Sequence, residues 1–176
     1  MRVDAALRTS DPRISAIGDC ANFPSTFSVG RARLGSVQNA ADQARHVAER
    51  IVAGTGRSYD SVPWFWTHQY EDKIQIAGIA GENDGCVISP GRTARSFSVY
   101  RVRGEAVVAV ESVNAPRDHI RARKRLAAGA IPLAELWTEG AGLASDPALE
   151  PLTLLFHPFS SDPIPFVRQS GLWPRR

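Results

Sequence analysis

The chain has 176 residues, 43% of them hydrophobic, and a formal net charge of +3 at pH 7. This composition is typical of a soluble globular protein, and the mixed signs of charge argue against a surface dedicated to nucleic acid. Cys20 and Cys86 form no Cys-x-x-Cys pair, so the sequence indicates no redox dithiol, zinc site or disulfide framework. No apolar run approaches the ~20 residues that span a bilayer, and nothing resembles a signal peptide, so we expect a cytoplasmic protein.

The first predicted element is a short strand that ends next to a carboxylate. Residues 14–17 are mainly apolar and are followed by Gly18 and Asp19. The carboxyl end of a strand is where α/β sheets bind cofactors, so Asp19 is the first candidate binding residue. On the local sequence alone, an aspartate that caps its own turn is an equally good interpretation. Residues 22–35 lack periodicity and predict a surface loop.

An amphipathic helix is predicted over residues 36–53. Its apolar side chains recur at i, i+3, i+4 and i+7, which is typical of a helix face that packs on a core. Ser36 can cap the start, and Gly54 and Gly56 can end the helix. Residues 57–62 predict a linker, because Pro63 begins a different pattern. The apolar stripe consists of Val37, Ala40, Ala41, Ala44, Val47, Ala48 and Ile51.

Beyond Pro63 the pattern predicts an antiparallel sheet and then a helix. Strands are expected over residues 73–77, 86–88, 96–102 and 105–113, with a turn at 81–85 and a tight hairpin at Gly104. The alternation indicates a sheet with one covered face. Residues 114–128 predict a helix with Pro116 in its first turn and Gly129 at its end. This helix is expected to cover the sheet, giving a small α+β domain.

The last part of the sequence has a different composition. Residues 139–176 hold six of the twelve prolines and show no periodicity beyond a short apolar run at 152–156. We expect a disordered or aberrant tail, with a docked extra segment as the alternative. The predicted division of the chain is therefore 1–58, 63–138 and 139–176.

Three ordered motifs together resemble a known family. They are GDCA at residues 18–21, SVQNA at 36–40 and PWFWTHQY at 63–70. They are similar to the carboxyl-terminal part of the FAD-dependent NAD(P)H:ferredoxin reductases of the putidaredoxin reductase type, which serve bacterial oxygenases and cytochromes P450. The resemblance runs from about Val3 to about Trp137. It implies an α+β fold: the remnant of an FAD-binding α/β domain (a strand plus the long helix), then a small antiparallel-sheet reductase C-terminal domain and an irregular tail.

The resemblance also implies a flavin site. Asp19 would accept hydrogen bonds from the ribityl chain of FAD, because a carboxylate makes strong, charge-assisted bonds to hydroxyl groups. Val37 and Gln38 would face the pyrimidine edge of the flavin, where unpaired N–H groups and the helix dipole stabilise negative charge. An ordinary surface helix is the alternative. Gly35 stands where the family usually has a glutamate.

The aromatic motif adds a second wall to this implied site. Trp64 and Trp66 lie on one side of the chain if the segment is extended, and both could belong to a core. The resemblance implies that Trp66 lies beside the flavin, near the ferredoxin surface, and that Trp64 is packing. His68, where the family commonly has aspartate, is either a proton acceptor near the flavin or a solvated side chain on a loop. Cys20 is expected to be a small buried packing residue; no catalytic residue and no metal ligand are predicted.

By the same resemblance the partner is a [2Fe–2S] ferredoxin, and the ferredoxins of these systems are acidic. Arg31 and Arg33 are the candidate partner contacts, because they precede the flavin helix. Residues 117–125 hold five basic side chains against one acid; this face either speeds encounter with the partner or is simply solvated. No nucleic-acid or membrane partner is predicted.

Neither of the two glycine-rich dinucleotide motifs of a complete reductase is found in the sequence. The sequence therefore predicts the carboxyl-terminal portion of a reductase that passes hydride from NAD(P)H to FAD and single electrons to the ferredoxin, in a chain that is not self-sufficient. The alternative is a non-catalytic truncated product or a module that docks to a partner. Apolar surface at the incomplete FAD domain would favour self-association.

Overall fold

The computed structural model describes residues 1–54 and 56–138, and the predicted tail, residues 139–176, lies outside this part. A 3₁₀ turn, Gly18–Cys20, precedes the first strand. The remaining elements, in chain order, are β1 (Phe23–Pro24), β2 (Arg31–Ala32), α1 (Val37–Ala53), β3 (Trp64–Gln69), β4 (Asp72–Gly78), β5 (Gly85–Pro90), β6 (Phe97–Arg103), β7 (Ala106–Val113), α2 (Pro116–Ala128), β8 (Ile131–Pro132) and α3 (Leu133–Thr138).

An antiparallel sheet dominates the second half of the described chain. Its strand order is β3-β4-β7-β6-β5, and the short β8 pairs with the start of β7. The hairpin between β6 and β7 turns at Gly104, whose φ of 60° is the left-handed conformation that such a tight turn requires. The four predicted strands are confirmed. Residues 64–69, where a loop around His68 was expected, form the additional edge strand β3.

Helix α2 covers one face of this sheet, as predicted. Its residues Ala122 and Leu126 are buried in a cluster with Val87, Tyr100 and Val110 of the sheet. Pro116 stands in the first turn, where a missing N–H has no cost, and the helix ends before Gly129. This packing confirms the α+β fold class.

The opposite face of the sheet is also covered, so the expectation of a single covered face is wrong. Phe65, Ile76 and Val113 pack with Leu7 and Phe23 in one hydrophobic cluster. As a consequence β7 is buried along almost its whole length, which is typical of a strand covered on both faces. The cluster joins residues on both sides of position 60, and a domain boundary at 58–63 stays a prediction.

An ion pair is buried within the sheet. The Nε atom of Arg101 on β6 lies 3.0 Å from Oε1 of Glu111 on β7, and both side chains are almost fully buried. A second guanidinium nitrogen lies 3.4 Å from the other carboxylate oxygen. This two-point contact matches the planar geometry that guanidinium and carboxylate groups favour.

The amino-terminal segment is irregular, and two of its predicted features do not form. Ser15 forms an isolated antiparallel bridge with Arg8, flanked by backbone hydrogen bonds from Thr9 to Ile14 and from Ala16 to Leu7, and this short pairing does not extend residues 14–17 into a strand. Residues 22–35 contain the β1–β2 hairpin, and Phe23 and Leu34 are buried, so this segment is not simply a surface loop. Its apolar side chains are too widely spaced to show a period.

The segment expected to be a linker is also packed. The backbone N–H of Tyr59 donates to the carbonyl of Ala5 at 2.8 Å, and the ring of Tyr59 meets Phe23 and His46 edge-on. Its hydroxyl donates to Oδ1 of Asn39 at 3.3 Å. Burial raises the pKa of Tyr59 to about 12, so the phenol stays protonated.

Helix α1 begins and ends where predicted. The Oγ atom of Ser36 accepts a hydrogen bond from the Asn39 N–H at 3.1 Å, and Gly54 ends the helix with a φ of 64°. The predicted orientation, however, is wrong. The buried residues of α1 are Asn39 and Gln43, whereas Val37 is 74% and Ile51 is 70% exposed.

This inversion has a simple physical cause. The amide of Asn39 donates to the carbonyl of Leu34 at 3.0 Å, and the amide oxygen of Gln43 accepts from the N–H of Gly18 at 2.8 Å. The irregular segment beneath α1 offers backbone polar groups that must be paired, and amide side chains pair them where alkyl side chains cannot. The apolar stripe is left largely on the outside.

Candidate functional site

Asp19 is carried by the 3₁₀ turn, and α1 holds that turn in place. The N–H of Gly18 is bonded to Gln43, and its φ of 68° is left-handed. A Cβ atom on residue 18 would lie only 3.3 Å from the Cβ of Ala40. Glycine therefore allows the turn to lie directly against the helix.

The carboxylate of Asp19 is open. Asp19 is exposed and makes no hydrogen bond or ion pair within the described part of the chain, so it does not cap its own backbone. A Cβ atom at Gly35 would lie 3.9 Å from the Cγ of Asp19, which places the carboxylate beside the residues that lead into α1. The side chain of a glutamate at position 35 would start next to the Asp19 carboxylate and would bring a second negative charge. With glycine at position 35, Asp19 supplies the single negative charge at this place.

The first turn of α1 presents unpaired backbone donors at the same end. The N–H groups of Val37 and Gln38 have no intrahelical acceptor, and Ser36 is already used by Asn39. The side chain of Gln38 donates to Oδ1 of Asp42 at 2.9 Å. The structure thus brings Asp19, Val37 and Gln38 to the amino end of one helix, where the dipole is positive.

Trp66 stands on the edge strand β3 and is 38% exposed. As predicted for an extended segment, Trp64 and Trp66 lie on the same side, with ring centroids 5.2 Å apart and planes inclined by 33°. Trp64 is the more buried of the two, which agrees with its expected packing role. Strand β3 also contacts α1, so the two parts of the candidate site are attached to each other.

A charged and aromatic cluster supports Trp64. The guanidinium carbon of Arg123 lies 4.2 Å from the Trp64 ring centroid, and the His119 ring lies 5.5 Å from it. Burial, together with the nearby positive charges of Arg123 and Lys73, lowers the pKa of His119 to about 4. His119 is therefore neutral at pH 7. The sequence showed these residues only as part of a basic run.

His68 and Cys20 differ from expectation. His68 lies near the exposed end of β3, opposite Lys73 of β4, and not on a loop. Cys20 was expected to be buried but is exposed, with its Sγ 3.2 Å from the carbonyl of Ile17. The reason is that the 3₁₀ turn directs the residue after Asp19 towards the surface.

The two candidate partner residues have different surroundings. The guanidinium of Arg31 donates to Oδ1 of Asn22 and to the carbonyl of Val3, both at 2.6 Å. These contacts tie the amino terminus to the β1–β2 hairpin, so Arg31 has a structural role. Arg33 is partly exposed. A contact of either residue with a partner stays a prediction.

The basic run of α2 divides into an inner and an outer set. Arg123 covers Trp64, and Arg125 pairs with Glu135 of α3. The outer set is exposed and consists of Arg117, Arg121 and Lys124. The outer set forms a positive surface on the side of α2 that faces solvent.

Two further features bear on function. Within residues 1–54 and 56–138 no three His, Cys, Asp or Glu side chains are grouped as metal ligands. None of the helices in the described part of the chain is both long and apolar enough to cross a membrane.

The fold and the site define a class of protein. Residues 64–141 match the family described as Reductase C-terminal, which contains the sheet and α2. The expectation that the amino-terminal layer and α1 form the end of a cofactor domain stays a prediction.

Individual relatives identify the family within this class. The chain is 50% identical over 125 residues to a rhodocoxin reductase of Rhodococcus erythropolis, covering 71% of this chain and 29% of the relative. The ferredoxin reductase for the CYP199A2 system from Rhodopseudomonas palustris has a TM-score of 0.70 at 43% identity, covering 77% of this chain and 33% of that one. The reductase in a covalent putidaredoxin reductase–putidaredoxin complex has a TM-score of 0.64 at 34% identity, covering 70% and 30%.

The chain belongs to the ferredoxin reductase family of the putidaredoxin reductase type. It spans about a third or less of the length of these relatives.

Proposed function

We propose that this chain forms one wall of the FAD site of an NAD(P)H-dependent ferredoxin reductase. The observation that carries the proposal is the open carboxylate of Asp19 beside the start of α1. An acceptor and two unpaired N–H donors at one helix end fit a ligand that combines hydroxyl groups with an electron-rich ring edge. The contribution of this chain is binding and orientation.

Each candidate residue has a defined task in this site. Asp19 accepts hydrogen bonds from the ribityl hydroxyls, and the N–H groups of Val37 and Gln38 stabilise negative charge at the pyrimidine edge. Trp66 covers the ring on the side of β3. FAD, when bound, supplies hydride acceptance and one-electron transfer.

The proposed partner is an acidic [2Fe–2S] ferredoxin in the cytoplasm. Arg33 and the outer set of α2, Arg117, Arg121 and Lys124, supply positive charge on the described surface. Complementary charge increases the rate of encounter more than the final affinity. Since the sequence lacks the glycine-rich dinucleotide motifs, the nicotinamide site lies on other polypeptide segments in this proposal, and the isolated chain does not turn over.

A titration of the 176-residue chain with FAD tests this proposal. We expect quenching of flavin fluorescence that saturates, and no NADH-driven reduction of an artificial acceptor. Riboflavin is the matched probe, because it has the ribityl hydroxyls and the ring but lacks the phosphates and adenine. We expect the two ligands to bind with similar affinity. Absence of saturable binding for both would overturn the proposal.

The exposed apolar face of α1 favours a second candidate function, that of a self-associating module. Ala41, Ala44, Ala48 and Ile51 are all exposed on this helix, and such contiguous surface is typical of interaction sites. Sedimentation velocity should show a dimer or larger species in the wild type. The Ala48→Glu/Ile51→Glu variant should be monomeric, whereas Ile120→Glu, at an exposed position of α2, should not. A monomeric wild type would exclude this candidate.

A further inference from the structure

A compact stack of planar groups lies behind Trp66. It consists of Trp64, His119 and Arg123, and we name it the Trp64 stack. The Arg123 guanidinium carbon is 4.2 Å from the Trp64 ring centroid, the His119 ring is 5.5 Å from it, and the Trp66 ring is 5.2 Å from it. Trp64 is therefore the central member through which α2 reaches the exposed Trp66.

Stability alone does not favour this arrangement. The indole Nε1 of Trp64, both ring nitrogens of His119 and Nε of Arg123 are buried with no hydrogen-bond partner in the described part of the chain. Buried polar atoms of native proteins are nearly always bonded, and leaving them unpaired costs free energy. Ring contacts and charge hold the Trp64 stack together. The free-energy cost of its unpaired polar atoms indicates that the stack has a role in positioning the rings.

The stack is also linked to the amino end of α1. Burial lowers the pKa of the Arg123 guanidinium, and the carboxylate of Asp42 on α1 opposes this effect. The same carboxylate accepts the hydrogen bond from Gln38 at 2.9 Å. The charge of Asp42, which also pairs with Arg45 at 3.0 Å, thus acts on Arg123 from a position on α1 one turn after Gln38.

We propose that Arg123 is a positioning residue, which holds the Trp64–Trp66 pair in one orientation relative to the amino end of α1. The Trp64 ring cannot leave its rotamer without losing its contacts to Arg123 and Trp66 together. This inference rests on the proposed function, because Gln38 and Trp66 are two of its flavin contacts. The arrangement of the rings can nevertheless be measured without flavin.

The test is circular dichroism of the complete chain without added ligand. Two indoles this close give an exciton couplet in the far ultraviolet, and the Trp66→Phe variant isolates their contribution from that of the other tryptophans. Arg123→Met retains the length of the side chain but removes its charge and plane. Lys124→Met, at the adjacent exposed position, makes the same change in net charge and is the matched control.

We expect Arg123→Met to reduce the couplet about twofold, because the cation over the ring is lost. Lys124→Met should leave the couplet unchanged, and Arg123→Lys, which keeps the charge, should restore part of it. An unchanged couplet in a folded Arg123→Met protein would overturn the inference. If Arg123→Met does not fold, Arg123→Gln decides, because it also removes the cation from the ring: a wild-type couplet in that variant overturns the inference as well. Failure of the wild type to bind flavin would instead count against the proposed function, since the couplet does not depend on flavin.

Discussion

Gln43 accepts a hydrogen bond from the backbone N–H of Gly18 at 2.8 Å, and the Gln43 side chain is fully buried. A glutamine on the inner side of α1 therefore holds the turn that carries Asp19. The relationship connects the stability of the fold with the geometry of the proposed flavin site.

Replacement of Gln43 should weaken the fold. Gln43→Met keeps the volume but removes the acceptor, which leaves the buried N–H of Gly18 unpaired at a cost of about 1–3 kcal/mol. Urea unfolding followed by fluorescence measures this loss. Gln69→Met, at an exposed position, is the control and should change the free energy of unfolding by less than about 0.5 kcal/mol. Equal effects of the two variants would contradict the assignment.

Asp19→Asn should weaken flavin binding while leaving the fold intact. The neutral amide keeps the shape but loses charge-assisted hydrogen bonds, so we expect the Kd for FAD to increase about tenfold or more. Asp60→Asn makes the same chemical change at an exposed position away from the turn. Fluorescence titration of both variants provides the comparison, and similar Kd values for Asp60→Asn and Asp19→Asn would remove Asp19 from the site.

His119 should make stability depend on pH. The pKa of His119 in the folded protein is about 4, below its ordinary value of 6.5, so the unfolded chain binds more protons between these values. The contribution of neutral His119 is therefore fully present above pH 6.5 and is lost as the pH falls towards 4.

The urea concentration at the midpoint of unfolding, measured between pH 4 and pH 6.5, tests the prediction for His119. His119→Phe should flatten the dependence by an amount on the order of 1–3 kcal/mol, because each unit of difference in pKa between the folded and unfolded protein corresponds to about 1.4 kcal/mol. His68→Phe, at an exposed histidine, should retain the wild-type dependence. A wild-type slope in His119→Phe would show that other groups dominate.

The buried ion pair predicts a strong asymmetry between single and double variants. Arg101→Met removes the buried guanidinium that compensates the charge of Glu111 and should cost about 3–5 kcal/mol. Arg101→Met/Glu111→Leu removes both charges and should recover most of this loss. Arg13→Met, which breaks an exposed pair with Asp11, should leave the urea midpoint nearly unchanged. A double variant as unstable as Arg101→Met alone would argue against this explanation.

Gly78, at the end of β4, should not tolerate alanine. Its φ is 86°, and a Cβ atom there would lie 2.1 Å from the carbonyl oxygen of Val108. Because the clash is with backbone, Gly78→Ala should prevent correct pairing of β4 with β7 and give little folded protein. Gly104→Ala has the same left-handed strain but open space around the Cβ, so it should cost only about 1 kcal/mol. Folded yield and thermal unfolding distinguish the two variants.

The sequence predicted the parts of the fold that local pattern determines. Ser36, Gly54, Pro116 and Gly129 mark helix ends, and the alternation along β4 to β7 marks strands, because capping and pleating depend on neighbouring residues. It could not predict which side of α1 is buried, since Asn39 and Gln43 face inward to bond backbone groups distant in the sequence. The strand expected at 14–17 failed for a related reason, as strand pairing requires a neighbour that local pattern does not reveal.

The sequence also predicted only some of the residues of the candidate site. Through resemblance, the GDCA, SVQNA and PWFWTHQY motifs predicted Asp19, Val37, Gln38 and Trp66 as flavin contacts, and this stays a prediction. The supporting residues were missed, since Arg123 and His119 appear in the sequence as ordinary members of a basic helix. Only the packing of α2 against β3 shows that they lie against Trp64.

At the outward-facing alkyl side chains of α1, solubility and the free energy of folding can be changed independently, although these two properties usually change together. Since these side chains contribute little to internal packing, replacing them with charged residues can increase solubility and leave the folding free energy nearly constant. The inward-facing amides behave in the opposite manner, because each is fitted to a particular backbone group. Along this one helix, tolerance to substitution is therefore expected to follow hydrogen bonding, and hydrophobicity is a poor guide to it.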